Sequence, residues 1–522
     1  MSSVQTNTAN APRRLLLNIL SNYAGKLYTL VVWFFLTPFV IHQLGPSDYG
    51  LWVLVGSVAA YGALLDFGIA NAITKYVAEY LARGEPKRAG RLVITAVWLY
   101  GGLGLAVVLL SAGLAPWFPA LFHMPPGQAA AARVLLVVSG LAVGIGLPST
   151  ATYGILRGLQ RYDLINLVSV IGTTLTVAGT VAALLLQGGV IAMTAVAIPV
   201  TLLMQALSVY LIRRAAPHLP LGLSKPEAGL VRAVFSFSSA LFVINVAGQV
   251  QTQTDEIVIG AALPVSNVTP YAIARRLSQV PQLLTDQFMK VLMPLASQLS
   301  AVDDRARLRQ LYLTSTRLTL AIDVPLVCGL MVLSRAFLSV WVGPVYAGAA
   351  PLVTVLALAS LCDTSLWPAS NILQGMARHR PLAVIAIISA LANLVLSVWL
   401  VHPLGVMGVA LGTLIPTSFE CVVLVMPYAM RQNRVGVRAL LSEMLAPSLL
   451  PAGPMLAVLW ALRQWLQPSS YLAIGVIGLA GVGVYGGLYL ALSRGKPEQL
   501  LLRRLVDQMV AAARRLGQPS QG

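Results

Sequence analysis

Residues 83–128 read RGEPKRAGRLVITAVWLYGGLGLAVVLLSAGLAPWFPALFHMPPGQ, and this stretch decides the architecture. It opens on Arg83, Lys87, Arg88 and Arg91. It then runs through an apolar segment and closes on a loop, Leu114–Gln128, with no Lys or Arg. A helix needs about 20 apolar residues to cross the hydrocarbon layer. Lys and Arg are retained on the cytoplasmic side during insertion. The stretch therefore reads as one outward crossing between a cytoplasmic and an external loop. The same alternation continues to the C-terminus. One side carries Arg157 and Arg161; Arg213, Arg214, Lys225 and Arg232; Arg305, Arg307 and Arg309; Arg378 and Arg380; Arg431, Arg434 and Arg438. The other carries only Arg335 and Arg463. The pattern predicts an all-α polytopic protein of the bacterial inner membrane with both ends in the cytoplasm.

Composition agrees. The chain is 57% hydrophobic and 10% charged, against roughly 45–50% and about 25% for a soluble domain. Its lipid bilayer is thus its main solvent. The net charge of +18 is accounted for by the loop asymmetry and needs no nucleic acid. Cys328, Cys362 and Cys421 all fall inside apolar segments without metal-ligand spacing, so they read as packing residues. About 14 transmembrane helices are expected: 15–41, 49–80, 90–113, 130–156, 162–186, 189–212, 231–262, 269–299, 309–333, 349–376, 381–401, 404–430, 440–462 and 470–492. The first apolar run is too long for a cleavable signal and stays as a span.

The chain also repeats itself. Ile155–Arg161 (ILRGLQR) resembles Ile372–Arg378 (ILQGMAR) at an offset of 217. Gly189 and Pro199 map onto Gly405 and Pro416 at offsets of 216 and 217, and Asp66 and Asp286 differ by 220. This predicts two pseudo-symmetric six-helix lobes of the same orientation, one of the repeat schemes of transporters. The expected parts are a cytoplasmic tail (1–14), an N-lobe (15–213), a linker (214–230), a C-lobe (231–430) and two extra C-terminal helices (440–492). Residues 497–517 read as an amphipathic helix on the cytoplasmic surface.

Ionisable groups inside spans cost several kcal/mol on any scale, so they mark function or pairing. Five cations are not explained by topology: Lys26, Arg275, Arg276, Lys290 and Arg317. Asp66, Asp255, Asp286, Asp323 and Glu420 are candidates for coupling to H⁺ or Na⁺. The seventh and eighth spans are so polar that both are expected to line a wet cavity. By depth, Asp255 pairs with Arg275 or Arg276, and Lys26 with Asp66. Arg275 and Arg276 are neighbours about 100° apart on a helix, so one acid cannot hold both, and one is expected to be free for an oxyanion. Arginine suits phosphate because its planar fork binds in two-point fashion. Asn22, Gln249, Gln253 and Gln279 are candidate partners for sugar hydroxyls. Pro148, Pro199, Pro281, Pro294, Pro325, Pro368 and Pro416 within spans suit a moving carrier. No GxxxxGK[ST], HExxH or GxSxG motif occurs, so an enzyme is not expected, and no cofactor.

Three stretches carry a resemblance. Leu44–Trp52 (LGPSDYGLW), Leu65–Ile69 (LDFGI) with Lys75–Tyr80 (KYVAEY), and Phe337–Gly343 (FLSVWVG) resemble polysaccharide-transporter flippases, the Wzx-type O-antigen group. These belong to the multidrug/oligosaccharidyl-lipid/polysaccharide exporter superfamily. The resemblance covers about 15–430. It implies a MATE-like fold, alternating access, and an undecaprenyl-diphosphate-linked oligosaccharide flipped to the periplasmic leaflet. Glycosyltransferases and a polymerase of the same pathway are implied partners. Lys26, Arg275 and Arg276 would contact the diphosphate, with Lys290 and Arg317 as its inner-leaflet point of access. The two extra helices are similar to those of lipid II flippases, where they form a groove for the lipid tail, and this opens a second substrate class. A multidrug antiporter of the same fold would need a cavity dominated by acids. A non-transporting scaffold would leave every buried charge paired.

Overall fold

A computed structural model of the chain describes residues 11–219, 227–289, 291–378 and 380–493. The expected surface helix at 497–517 and Lys290 lie outside the described residues. Among those described, every regular element is helical, and eleven helices are long and apolar enough to cross a membrane. The difference from 14 has physical causes. The first of the eleven, Tyr28–Ala82, has 55 residues, far more than one crossing needs at about 1.5 Å per residue. It is interrupted at Gly45 (φ 74°, ψ 171°), followed by Pro46. This is the LGPSDY turn between the first two spans. The Ala228–Ala262 helix, 35 residues long, corresponds to the seventh span, and the eighth is divided into three pieces of 10 or 11 residues between Val268 and Ala301, each too short to cross alone.

The chain forms two compact units. One runs to Ala272 and takes in Ala390–Gly412; the other holds Ile273–Ser389 and the chain from Thr413. In the first, Pro86–Leu114 packs along Pro126–Gly158. The crossing is close because Gly104 and Gly144 face one another, and a Cβ on either would strike the other's carbonyl. Small residues are the usual means of close approach where no hydrophobic gain separates helix from lipid. Ile69, Ile73, Leu92, Tyr100, Ala151 and Ile155 make the core here. In the second unit, Arg305–Trp341 packs on Ala350–Gly375 and also takes the last two helices, Ala452–Leu466 and Tyr471–Leu492. Leu320, Val324, Cys328, Met455, Leu459 and Ile477 make the core of that junction.

The sequence repeat reappears in the backbone. The turn after Pro126–Gly158 places Gln160 at φ 55°, and the turn after Ala350–Gly375 places Ala377 at φ 57°. Gly189 and Gly405 match in the same way, at φ 63° and 57°. Left-handed backbone is unfavourable for most residues, so its return at offsets of 217 and 216 points to two copies of one helix–turn–helix plan. The molecule is a polytopic helical membrane protein in which one helix–turn–helix plan occurs twice.

Candidate functional site

The second span does not run straight. After Ala60 the helix tightens into a 3₁₀ turn, Tyr61–Asp66, and then Phe67 (φ 47°) and Gly68 (φ 76°) break it before Ile69–Ala82 resumes. The single expected span 49–80 is therefore corrected to two pieces hinged at LDFG. The freed polar groups are taken up locally. The Gln249 amide donates to the Ala60 carbonyl at 3.0 Å, and the Tyr61 hydroxyl meets Thr254 Oγ1 at 2.6 Å. Tyr100 Oη donates to Asp66 Oδ1, and the Tyr100 ring is wholly buried. Gln249, a candidate sugar contact, thus serves the helix break. Asn22 and Lys26 lie on the Ala11–Ala60 helix, with side chains outside those described.

Nearby, Asp255 and Glu256 are both buried, and Tyr271 donates to Asp255 Oδ2 at 2.5 Å. The tyrosine hydroxyl as partner was not foreseen. Gly50 of the LGPSDYGLW stretch lies against the Val265 carbonyl with no room for a Cβ, and Thr269 Oγ1 donates to the Pro46 carbonyl at 2.5 Å. This motif is therefore a packing device for the turn between spans.

In the second unit, Arg275 and Arg276 end the short Val268–Ser278 helix, both half-buried. Each has a partner, as does Asp286, which corrects the expectation of one free arginine. A substrate oxyanion would have to exchange for an existing partner. Asp323 is wholly buried and accepts from Thr285 Oγ1 at 2.7 Å. Gln282 Nε2 donates to Asp363 Oδ2 at 3.2 Å. Glu420 begins a π-helical segment, Glu420–Val425; such segments recur at functional sites. Arg317 is the residue expected at the inner-leaflet point of access. It is 3% exposed, and its Nη1 donates to the Glu443 carbonyl at 2.6 Å, inside another π-helical segment, Leu440–Leu445. A π turn displaces carbonyls from their usual i+4 donors, and the guanidinium fills that gap. Gln253 and Gln279 are half-buried, and their side chains make no hydrogen bond to described residues.

Two cavities went unnoticed in the sequence. One, of about 220 Å³, has walls of Leu277, Pro281, Leu330, Phe337, Ile474 and Val482, with Gly478 between them. It lies where the last helix meets Arg305–Trp341 and is almost wholly apolar. The other, of about 390 Å³, lies in the first unit among four helices and carries no ionisable carboxylate, lysine or arginine.

Against known proteins, the profile of the polysaccharide biosynthesis protein family matches residues 43–351, more than half of the chain. This chain belongs to that family. Members and neighbours agree. It is 22% identical over 499 residues to "Probable flippase AglR" of Haloferax volcanii, covering 94% of this chain and 97% of that one. It is 25% identical over 354 residues to "Succinoglycan biosynthesis transport protein ExoT" of Rhizobium meliloti, covering 68% and 67%. Among solved structures, the lipid II flippase MurJ in an inward closed conformation aligns with a TM-score of 0.71 at 15% identity, over 91% of this chain and 99% of that one. An inward-facing MATE transporter aligns at 0.62 and 16%, over 78% and 98%. The resemblance of LGPSDYGLW, LDFGI and FLSVWVG to flippases of polysaccharide synthesis therefore holds at the level of the family, and the MATE-like fold with it.

Proposed function

We propose that the protein is a flippase that carries a polyprenyl-diphosphate-linked oligosaccharide from the cytoplasmic to the periplasmic leaflet of the inner membrane by alternating access. The observation that carries this reading is the near full-length likeness to a protein named a probable flippase. The chemistry supports it. A bare diphosphate in hydrocarbon would cost tens of kcal/mol on a Born estimate, so a carrier must supply cations. Arg275 and Arg276 supply them here by exchanging their present partners, with Lys26 and Lys290 as further contacts. Gln253 and Gln279 meet sugar hydroxyls. A negative-inside potential favours outward movement of each negative charge by about 2.3 kcal/mol per 100 mV, so counter-ion coupling is not required. Asp66, Asp255, Asp286, Asp323 and Glu420 then serve packing.

The test is reconstitution. Lipid-linked oligosaccharide from the host's own membranes, labelled on the sugar, is placed in proteoliposomes and its exposure to an external glycosidase is followed. Protein-dependent exposure, faster with an imposed potential, is expected; exposure equal to empty liposomes would sink the reading.

The apolar cavity favours a variant in which the polyprenyl tail is held by protein rather than left in lipid. Its walls come from the last helix and from Arg305–Trp341, and a ligand there needs no polar group. The likeness to MurJ over 91% of the chain keeps a lipid II-type substrate as the second reading. A Cβ at Gly478 meets nothing within 4 Å. Gly478→Trp is therefore expected to fill the cavity without unfolding the helix and to slow reconstituted flipping by about tenfold, the loss of one buried prenyl unit's contacts at about 25 cal/mol per Å². Unchanged flipping would mean the tail stays outside.

A further inference from the structure

The cavity of about 390 Å³ is bounded by Trp33 on the first span, Ser149 and Tyr153 on Pro126–Gly158, Thr173 and Thr176 on Tyr162–Leu185, and Thr201 on Ala197–Ala215. Its hydroxyls are grouped around one space and are not tied to their own helices. A serine or threonine within a helix commonly donates to the carbonyl one turn back. Thr29, Thr37, Thr74, Thr95, Thr174 and Thr194 all do so here. The hydroxyls of Ser149, Thr173, Thr176 and Thr201 do not; they make no hydrogen bond to any described residue. Four donor–acceptor groups from three helices are therefore left uncommitted around one space.

The lining also excludes ligand classes. A diphosphate needs cations and a lipophilic cation needs acids, and no wall residue is charged. A prenyl chain would leave the hydroxyls unsatisfied, at a cost. What remains is a neutral ligand with many hydroxyls and some apolar faces. Sugar rings have both: their hydroxyls pair with Ser and Thr, which donate and accept, and their C–H faces lie on aromatic rings such as Trp33 and Tyr153. We propose that this cavity is a saccharide subsite that holds part of the oligosaccharide head while the lipid is carried. The inference rests on the flippase reading above and adds where the sugar is held. It places one part of sugar recognition within the first unit.

The site can be closed selectively. Gly146 lines the cavity, and a Cβ there meets nothing within 4 Å, so Gly146→Leu projects into the open volume. Gly101, exposed on Pro86–Leu114, is equally open and gives Gly101→Leu as a control. Thr173→Val removes a hydroxyl without changing shape and serves if Gly146→Leu is poorly made. Two probes are bound to purified protein in nanodiscs: lipid-linked oligosaccharide extracted from the host, and undecaprenyl diphosphate without sugar. Gly146→Leu is expected to weaken the glycosylated lipid by at least about tenfold, or about 1.4 kcal/mol. Thr173→Val is expected to weaken it by about threefold. Both are expected to leave undecaprenyl diphosphate within about twofold, and Gly101→Leu to change neither. Equal losses for both lipids, or no loss for either, would overturn the subsite and leave the flippase reading standing. Binding of neither lipid by the wild-type protein would instead reject the flippase reading, and the subsite with it.

Discussion

Replacing Arg275 and Arg276 together by glutamine is expected to abolish export of surface polysaccharide while the protein is still inserted at its normal level. Both arginines end the Val268–Ser278 helix and both are half-buried. Successive helical residues point about 100° apart, so the two guanidinium groups reach different directions. Each has a partner in the resting structure. An incoming diphosphate carries more charge than one carboxylate and offers several oxygens, so it can displace those partners. A charge-assisted hydrogen bond is worth about 1.5–3 kcal/mol. Losing two such bonds removes about 3–6 kcal/mol of substrate binding, at least a hundredfold. The measurement is cell-surface polysaccharide beside immunoblotted membrane protein. Arg275→Lys with Arg276→Lys keeps the charge and loses the fork, so it is expected to fall between wild type and the glutamine pair. Normal output from the glutamine pair would show that these cations only pack the helix. A fall in protein level would show the same, since a structural pair acts through folding.

Much of this was legible in the chain, and the limits have physical reasons. The spans and their order follow from apolar length and loop charge, two quantities written locally along the sequence. The duplication follows from ILRGLQR and ILQGMAR, and the backbone repeats it at Gln160 and Ala377. The break at Phe67–Gly68 was hidden because the residues on both sides are apolar and hydropathy does not register a 3₁₀ turn. The partners of the buried acids were hidden for another reason. Depth and charge pair an acid with a base, whereas Tyr100 and Tyr271, which donate to Asp66 and Asp255, are neutral and carry no such signal. The saccharide-type cavity was the least legible feature. In the sequence its serines and threonines look the same as those that bond back to their own helix, and only the three-dimensional arrangement shows that they share one space.

Arg317 gives the second large effect, on stability. Arg317→Ala is expected to lower the thermal midpoint of the purified protein by several degrees while leaving the affinity for lipid-linked oligosaccharide unchanged. The guanidinium is 3% exposed and donates to the Glu443 carbonyl, and Ser448 Oγ donates to the Arg317 carbonyl from the same segment. Arg317 thus ties the Arg305–Trp341 helix to the π-helical turn Leu440–Leu445 that begins the last pair of spans. Truncation leaves the Glu443 carbonyl without its donor and removes the bulk of a buried side chain. An orphaned buried polar group costs about 1–3 kcal/mol, and lost packing adds to it. Arg317→Lys keeps one donor and is expected to recover part of the loss. An access point for the diphosphate would behave in the opposite way: affinity would fall and the thermal midpoint would hold. The two outcomes separate a cation that holds the last helices in place from one that meets the substrate.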